Sequence, residues 1–368
     1  MLFLTLKIFS ATGGIEKVNR IAGKALYEME IESGKNDFKL YCLYDSDDDI
    51  IANKYFPDRF FKGFNKHKVK FVYESIQAGI KTDVVVLSHI NLLVVGFFIK
   101  IISPKTKLVL IAHGIEVWKA FPAWKKYALR KMDLILPVSQ FTKDSMIRLN
   151  KFQDDQFEVL NNCLDPYLPA PLHEGKDRNL FERYGFSKDN IILMTLTRLS
   201  AKEKYKGHDN VLYAVQNLIA SNPNIRYLLV GKYDDTEKDR LDKMINKLGL
   251  KEFVVFAGFI LDEEIEAHYN LADIYIMPSK KEGFGIVFIE ALYYGKPVIA
   301  GNKDGSVDAL CNGRFGLLVN PDDQQDIINA VQKIINNKQH YLPDHELLMQ
   351  KFSYTSYKNN LKNIINSL

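Results

Sequence analysis

Apolar residues are distributed along the 368-residue chain in two alternating ways: as short runs, and as stretches in which they return every three or four positions. The short runs, rich in Val, Ile, Leu and Phe, predict strands covered on both faces, and the stretches between them predict amphipathic helices. Strands are predicted at residues 2–9, 38–44, 69–73, 84–88, 108–112, 134–138 and 157–160, and again at 191–197, 226–230, 254–257, 274–277 and 298–300. Strand and helix alternating from end to end predict an α/β fold with parallel sheets and helical crossovers.

One stretch breaks the rhythm. Residues 161–178 hold Pro166, Pro169 and Pro171 with no periodicity, which predicts an interdomain linker. A chain of this length also exceeds what one core usually serves. Two domains are therefore expected, residues 1–170 and 171–353, with the helical segment 354–368 returning to the first. Two Rossmann-like domains in tandem leave a central cleft facing the carboxyl ends of their strands, so the chemistry is expected in strand-to-helix loops.

Composition narrows the setting. Cys42, Cys163 and Cys311 are odd in number and widely spaced, which fits a reducing compartment and neither a disulfide framework nor a zinc knuckle. The opening MLFLTLKIFS carries Lys7 and no small-residue cleavage site, so it is expected to be a strand and not a signal peptide. The apolar run at 92–99 is far shorter than the roughly 20 residues a membrane-spanning helix needs. The expected location is the cytoplasm.

Four loops carry candidate chemistry. In Glu282-Gly-Phe-Gly-Ile-Val-Phe-Ile-Glu290, Gly283 and Gly285 permit a sharp turn into a helix whose free N–H groups suit an anion such as a diphosphate. Glu282 and Glu290 flank that point, and carboxylates there accept hydrogen bonds from sugar or ribose hydroxyls. Arg198 and Lys206, after the first strand of the second half, are a planar and a flexible cation suited to a pyrophosphate leaving group. Gly13 and Gly14 follow the first strand of the chain but lack the third glycine of a dinucleotide fingerprint. His113, in Ala112-His113-Gly114-Ile115-Glu116, closes another strand beside a glycine and a nearby carboxylate.

Asp45-Ser-Asp-Asp-Asp49 has the spacing of a DxD metal site, in which carboxylates hold a divalent cation on a diphosphate. It lies in the first half, away from the donor loops, and reads more simply as a solvated turn. No zinc spacing and no P-loop is present.

Taken together these residues resemble the retaining GT-B glycosyltransferases of glycosyltransferase family 4. The Glu-x7-Glu element with its internal GFG carries most of the resemblance, supported by Arg198-Leu199, by Lys206-Gly-His-Asp209 and by Val138-Ser-Gln-Phe-Thr-Lys143. The resemblance implies a GT-B architecture of two Rossmann-like domains, with the acceptor in the first half and a UDP- or GDP-linked sugar in the second. It implies that Arg198 and Lys206 hold the diphosphate, that Glu282 contacts sugar hydroxyls and that Glu290 binds the ribose. Amides at Phe284, Gly285 and Ile286 would serve the phosphates and sugar, His113 the sugar or the transition state, and Gly13-Gly14 the phosphate. It further implies retention of configuration, no dedicated protein base, no cofactor and no metal. Two departures stand out: the usual Pro-Asn-Gly-Val-Asp is Asn161-Asn-Cys-Leu-Asp165, and the usual Gly before Arg-Leu is Thr197. An epimerase or sugar phosphorylase on the same architecture, and a non-catalytic sugar-nucleotide sensor, are the competing readings.

Charge adds a partner. Segments 54–70 and 117–132 each carry a net charge of +5, which leaves the rest of the chain at −6. Both interleave their cations with aromatics: Tyr55, Phe56, Phe60, Phe61 and Phe64 in one, Trp118, Phe121, Trp124 and Tyr127 in the other. That mixture suits an anionic membrane surface, while no recognition fold for nucleic acid accompanies it. Peripheral attachment to the inner face of the membrane and a lipid-linked saccharide acceptor, in cell-surface polysaccharide synthesis, are expected.

Overall fold

A computed structural model describes residues 1–50, 53–171 and 175–368, so part of the predicted linker, 172–174, lies outside the described residues. The chain forms two units: Met1–Pro166 together with Phe352–Leu368, and Tyr167–Lys351.

Unit 1 runs β1 (Leu2–Thr5), α1 (Gly14–Glu32), β2 (Lys39–Cys42), β3 (Phe61–Gly63), α2 (Lys68–Gly79), β4 (Val84–Leu87), α3 (Leu93–Ile102), β5 (Lys107–Ala112), α4 (Ala123–Leu129), β6 (Leu134–Pro137) and α5 (Gln140–Asn150). Its sheet is parallel in the order β3-β2-β1-β4-β5-β6. The strands read almost without a polar residue, Val-Val-Val-Leu in β4 for example, because helices cover both faces. Helix α1 buries Val18, Ile21, Ala22, Ala25, Leu26 and Met29, a stripe at three- and four-residue spacing. Helix α5 begins where the Ser139 side chain accepts the Thr142 N–H, and ends at Lys151 in the left-handed region.

Unit 2 runs α6 (Arg178–Tyr184), β7 (Ile191–Leu196), α7 (His208–Leu218), β8 (Ile225–Val230), α8 (Asp235–Lys247), β9 (Val254–Gly258), α9 (Ile265–Leu271), β10 (Ile274–Met277), α10 (Ile286–Tyr293), β11 (Val298–Gly301), α11 (Ser306–Ala309), β12 (Leu317–Val319) and α12 (Gln324–Asn336). Its parallel sheet, β12-β11-β10-β7-β8-β9, repeats the order of unit 1. Each unit thus has the doubly wound topology, with a switch point between its first and fourth strands. Each has its own core, one gathered around Leu4, Leu87, Leu110 and Ile135, the other around Leu193, Tyr227, Leu229 and Ile276.

Helix α13 (His345–Phe352) leads to α14 (Tyr354–Asn366), which lies on α1. Tyr354 Oη donates to Glu28 Oε2 at 2.8 Å, and Lys358 and Lys362 pair with Glu32 at 2.8 and 2.7 Å.

Several elements differ from expectation. Residues 69–73 are helical: Phe71, Ser75 and Gly79 are buried while Val69 and Tyr73 are exposed, a period of four where a strand would show two. Residues 157–160 run beside β6, with Glu158 N–H donating to Ile135 O and Leu160 N–H to Pro137 O, but make one isolated bridge and no strand. Strands β3 and β12 escaped notice because they are three-residue edge strands, too short for a pattern. In segment 54–70 the aromatics Tyr55, Phe56, Phe60 and Phe64 are core residues, so the basic-aromatic mixture there is a buried face beside a solvated one. In segment 117–132 Phe121 is buried, whereas Trp124 and Tyr127 are exposed.

Candidate functional site

In unit 2 the switch point lies between β7 and β10, and the loops leaving these neighbouring strands carry the predicted residues. The β7–α7 loop brings Lys206 Nζ into an ion pair with the Glu282 carboxylate of the β10–α10 loop, the side chains being 15% and 18% exposed. Burial alone would lower the pKa of Lys206, but the charge and hydrogen bond of Glu282 outweigh it and hold the ammonium above its ordinary value. Arg198 stands apart from this pair, 69% exposed and bonded to Glu203.

Gly285 caps α10 at φ +85° with no side-chain hydrogen bond to the first turn, and a Cβ there would lie 2.4 Å from the Phe288 ring. Only glycine fits, and the helix N-terminus stays free of a side-chain cap. Phe284 and Ile286 point inward and are buried, so their contribution to any ligand is through backbone. Glu290 is 2% exposed and accepts a hydrogen bond from Tyr269 Oη at 3.2 Å. The structure therefore brings Lys206, Glu282 and Gly285 together, and sets Glu290 deeper than a solvated carboxylate two turns along.

In unit 1 the strand ends at the β1–β4 switch and at β5 carry the others. Gly13 caps α1 in extended backbone, φ −173°, so it is not needed for a left-handed turn; Glu16 Oε2 occupies the space a Cβ would enter, 2.5 Å away. Gly14 is the first residue of α1. His113 is buried after β5. Its Nε2 is 2.8 Å from Ser88 O, and since a carbonyl only accepts, Nε2 carries the proton and Nδ1 the lone pair. Glu116 Oε1 accepts the His113 N–H at 2.6 Å and the Gly114 N–H at 3.2 Å. Burial chiefly pushes the His113 pKa down, against Glu116, so the ring is neutral at pH 7.

Two residues were not anticipated. His89, just after β4, has its pKa lowered chiefly by burial, with the Glu116 charge opposing and His113 adding to the fall; its Nδ1 accepts the Asn91 N–H at 3.0 Å. The signal available was a histidine directly after a predicted strand. Asp304, after β11, is fully buried and accepts the Glu282 N–H at 2.7 Å. Only its place after a strand marks it in sequence.

The Asp45–Asp49 segment is the solvated turn expected at Asp47 and Asp48, which are exposed, but not at Asp45. Asp45 is fully buried and accepts the N–H groups of Ile8 and Phe9 at 3.0 and 2.7 Å, and Asp47 accepts that of Gly63 at 2.7 Å. These carboxylates close loops. Among the described residues, His208, Asp209 and Glu237 lie close enough to share a metal, but Arg240 bonds both carboxylates, at 2.6 and 2.7 Å, and so fills the charge of that cluster. At the predicted hinge, Asp165 accepts a 2.6 Å hydrogen bond from Tyr55.

Residues 176–355 match the family described as glycosyl transferases group 1. The chain is 31% identical over 241 residues to a GDP-mannose-dependent alpha-(1-6)-phosphatidylinositol monomannoside mannosyltransferase of Mycolicibacterium smegmatis, covering 62% of this chain and 61% of that protein. It is 27% identical over 184 residues to an alpha-monoglucosyldiacylglycerol synthase of Acholeplasma laidlawii, 49% and 44% of the two chains. The matched region thus spans between two-fifths and two-thirds of these relatives. In structure the chain superposes on Anabaena HepE in complex with UDP with a TM-score of 0.81, at 21% identity over 100% and 99% of the chains.

Proposed function

Since residues 176–355 match the family described as glycosyl transferases group 1, and the chain has a GT-B fold of two Rossmann-like units, we propose that it moves a hexose from a nucleotide-sugar donor to a saccharide acceptor. The observation that carries this reading is the Lys206–Glu282 pair beside the uncapped start of α10, at the switch point of unit 2. The amides and Lys206 suit a diphosphate, and Glu282 suits the hydroxyls of the sugar. Arg198 is a second cation for the departing diphosphate, and Glu290 is assigned to the ribose. The proposed chemistry retains configuration, with the departing phosphate assisting removal of the acceptor proton, and uses no metal. In unit 1, the neutral His113 offers a lone pair on Nδ1 for a hydroxyl after β5, and Gly13 and Gly14 open α1 after β1, with β4 between the two strands.

The names of the mannosyltransferase and the synthase above include a lipid, phosphatidylinositol in one and diacylglycerol in the other, which supports a lipid-linked glycan acceptor for this chain, while other relatives are named for inositol 3-phosphate and mannosylfructose phosphate. No helix among the described residues is long and apolar enough to cross a membrane. We assign membrane contact to the outer faces of α3 and α4, where Phe98, Ile101, Ile102, Trp124 and Tyr127 are exposed among cations.

Incubation with UDP-, GDP- and ADP-sugars, scoring hydrolysis and thermal shift together, tests the reading. One donor is expected to be hydrolysed slowly and to raise the unfolding temperature. Binding without turnover, even with saccharide acceptors added, would point to a sensor, and conversion of the sugar without release of nucleotide to an epimerase.

A further inference from the structure

The Asp304 side chain lies outside every role assigned so far, yet it is fully buried against the β10–α10 loop. Its Oδ2 accepts the Glu282 N–H at 2.7 Å and its Oδ1 the Ser306 N–H at 2.9 Å. On the other side of the same residue, Gly305 N–H donates to Glu282 O at 2.8 Å. A Cβ on Gly305 would stand 2.0 Å from Gly283 O, so the loops approach this closely only with glycine there. Consecutive residues 304 and 305 therefore occupy both backbone hydrogen-bonding groups of Glu282.

We propose that Asp304 is a positioning residue for the donor site, clamping the backbone of Glu282 so that its carboxylate meets Lys206 and the donor sugar. The proposal rests on the reading of Glu282 as a sugar-binding residue. A carboxylate suits the place because both oxygens must accept, whereas an amide would turn an N–H group toward one of the two N–H donors.

The cost of this arrangement argues for function. Burial pushes the Asp304 pKa up to about 6; its hydrogen bonds to Ser306 and Glu282 oppose that rise, and the Glu282 charge adds to it. The groups facing it are the Ser306 hydroxyl and amide, Glu282, and Lys206 across from Glu282. A carboxyl whose folded pKa lies above its unfolded value contributes stability below the unfolded value, and loses it as pH rises through the folded one. Ionised at pH 7, Asp304 is thus a burden on folding, and what it supplies is the position of Glu282.

The test is a double-mutant cycle on donor hydrolysis with Asp304→Asn, Glu282→Ala and the double variant, each checked by thermal unfolding at pH 7.5. Asp304→Asn is expected to lower kcat/KM about tenfold or more while keeping its unfolding temperature within a few degrees. The double variant is expected to be no slower than Glu282→Ala alone, because Asp304 acts through Glu282. Losses that multiply, or Asp304→Asn at wild-type rate beside an inactive Glu282→Ala, would overturn the clamp alone. Wild-type turnover in Glu282→Ala would remove the reading of Glu282, and the clamp with it. Should Asp304→Asn not fold, the wild-type pH–rate profile decides: an acid limb near pH 6 supports the clamp, and flat turnover from about pH 5 to 8 removes it.

Discussion

Lys206 and Glu282, 76 residues apart in the chain, meet as an ion pair over the carboxyl ends of neighbouring strands β7 and β10. Neither is fully solvated, so truncating one leaves the other charge partly buried and alone. Lys206→Ala and Glu282→Ala are each expected to lower turnover about 100-fold, or roughly 3 kcal/mol in the barrier, and to lower the unfolding temperature slightly. The double variant should regain much of the unfolding temperature and none of the activity. Steady-state rates with scanning calorimetry check this; recovered activity in the double variant would show that the pair is structural.

Arg198 differs, being exposed and held by Glu203. A diphosphate must compete with Glu203 for the guanidinium. Glu203→Ala is therefore expected to tighten binding of the nucleoside diphosphate several-fold at low salt, and Arg198→Ala to weaken it with little change in unfolding temperature. Titration calorimetry reads both, and unchanged affinity in the two variants would dissociate Arg198 from the diphosphate.

Much of this was legible in the sequence, for physical reasons. Ten of the twelve predicted strands correspond to strands of the sheets, because a strand covered on both faces is written as an unbroken apolar run that a surface element does not imitate. Residues 69–73 misled because Val-Lys-Phe-Val-Tyr, four of its five residues β-favouring, satisfies a strand pattern, and only Ser75 and Gly79 beyond them reveal the helical period. That Lys206, Glu282 and Gly285 fall in loops after strands β7 and β10 was readable from the apolar runs that precede them. Asp304 was not: its importance lies in which N–H groups it faces, and that depends on β10 and β11 being neighbours. The core role of the aromatics in segment 54–70 was hidden for the same reason, since Phe56 and Phe60 pack on Phe38, the residue before β2, where β2 and β3 pair.

Lys296 gives unit 2 a measurable pH response. Burial first, then the neighbouring Lys338, lowers its pKa to about 8, with Asp273 opposing. Because the folded state then binds fewer protons than the unfolded one between about pH 8 and 10.5, this group makes stability rise with pH across that window. Lys296→Met is expected to be more stable than wild type at pH 7.5, with the gain shrinking toward pH 10. A gain independent of pH would mean that Lys296 titrates normally.

Metal independence is expected to hold because Lys206, Arg198 and the start of α10 supply positive charge, while Asp45 and Asp47 spend their oxygens on backbone N–H groups. EDTA should leave transfer unchanged. Asp45→Ala should lower the unfolding temperature, since it orphans the buried Ile8 N–H, which it now bonds at 3.0 Å. Activity abolished by EDTA and restored by manganese would return a metal to the mechanism.

The membrane face can be argued from α3 and α4 alone. The two helices pack side by side, joined by the Phe97 and Tyr127 rings at 5.9 Å, so their exposed residues share one surface. Trp124 and Tyr127 are 51% and 53% exposed, next to Phe98, Ile101 and Ile102. Lys125 Nζ lies over the Trp124 ring, 5.5 Å from its centroid, and Lys131 Nζ over that of Tyr127 at 5.4 Å, so each aromatic already carries a cation at its face. Rings that settle at headgroup depth and lysines that meet anionic lipid act together in such an arrangement, each cation adding about 1 kcal/mol near the surface. Binding to vesicles containing phosphatidylglycerol is expected at low salt, with loss near about 0.5 M salt, where screening shortens the reach of the charges. The variant Phe98→Ser/Trp124→Ser should weaken attachment to all vesicles, whereas Lys125→Glu/Lys131→Glu should remove the preference for anionic ones. The Phe98→Ser/Trp124→Ser variant should leave hydrolysis of a soluble donor unchanged, because its residues are on the exposed faces of α3 and α4 in unit 1, whereas Lys206 and Glu282 belong to unit 2. Equal failure to bind anionic and neutral vesicles at low salt, with full activity on a soluble acceptor, would leave this face an ordinary solvent-exposed surface.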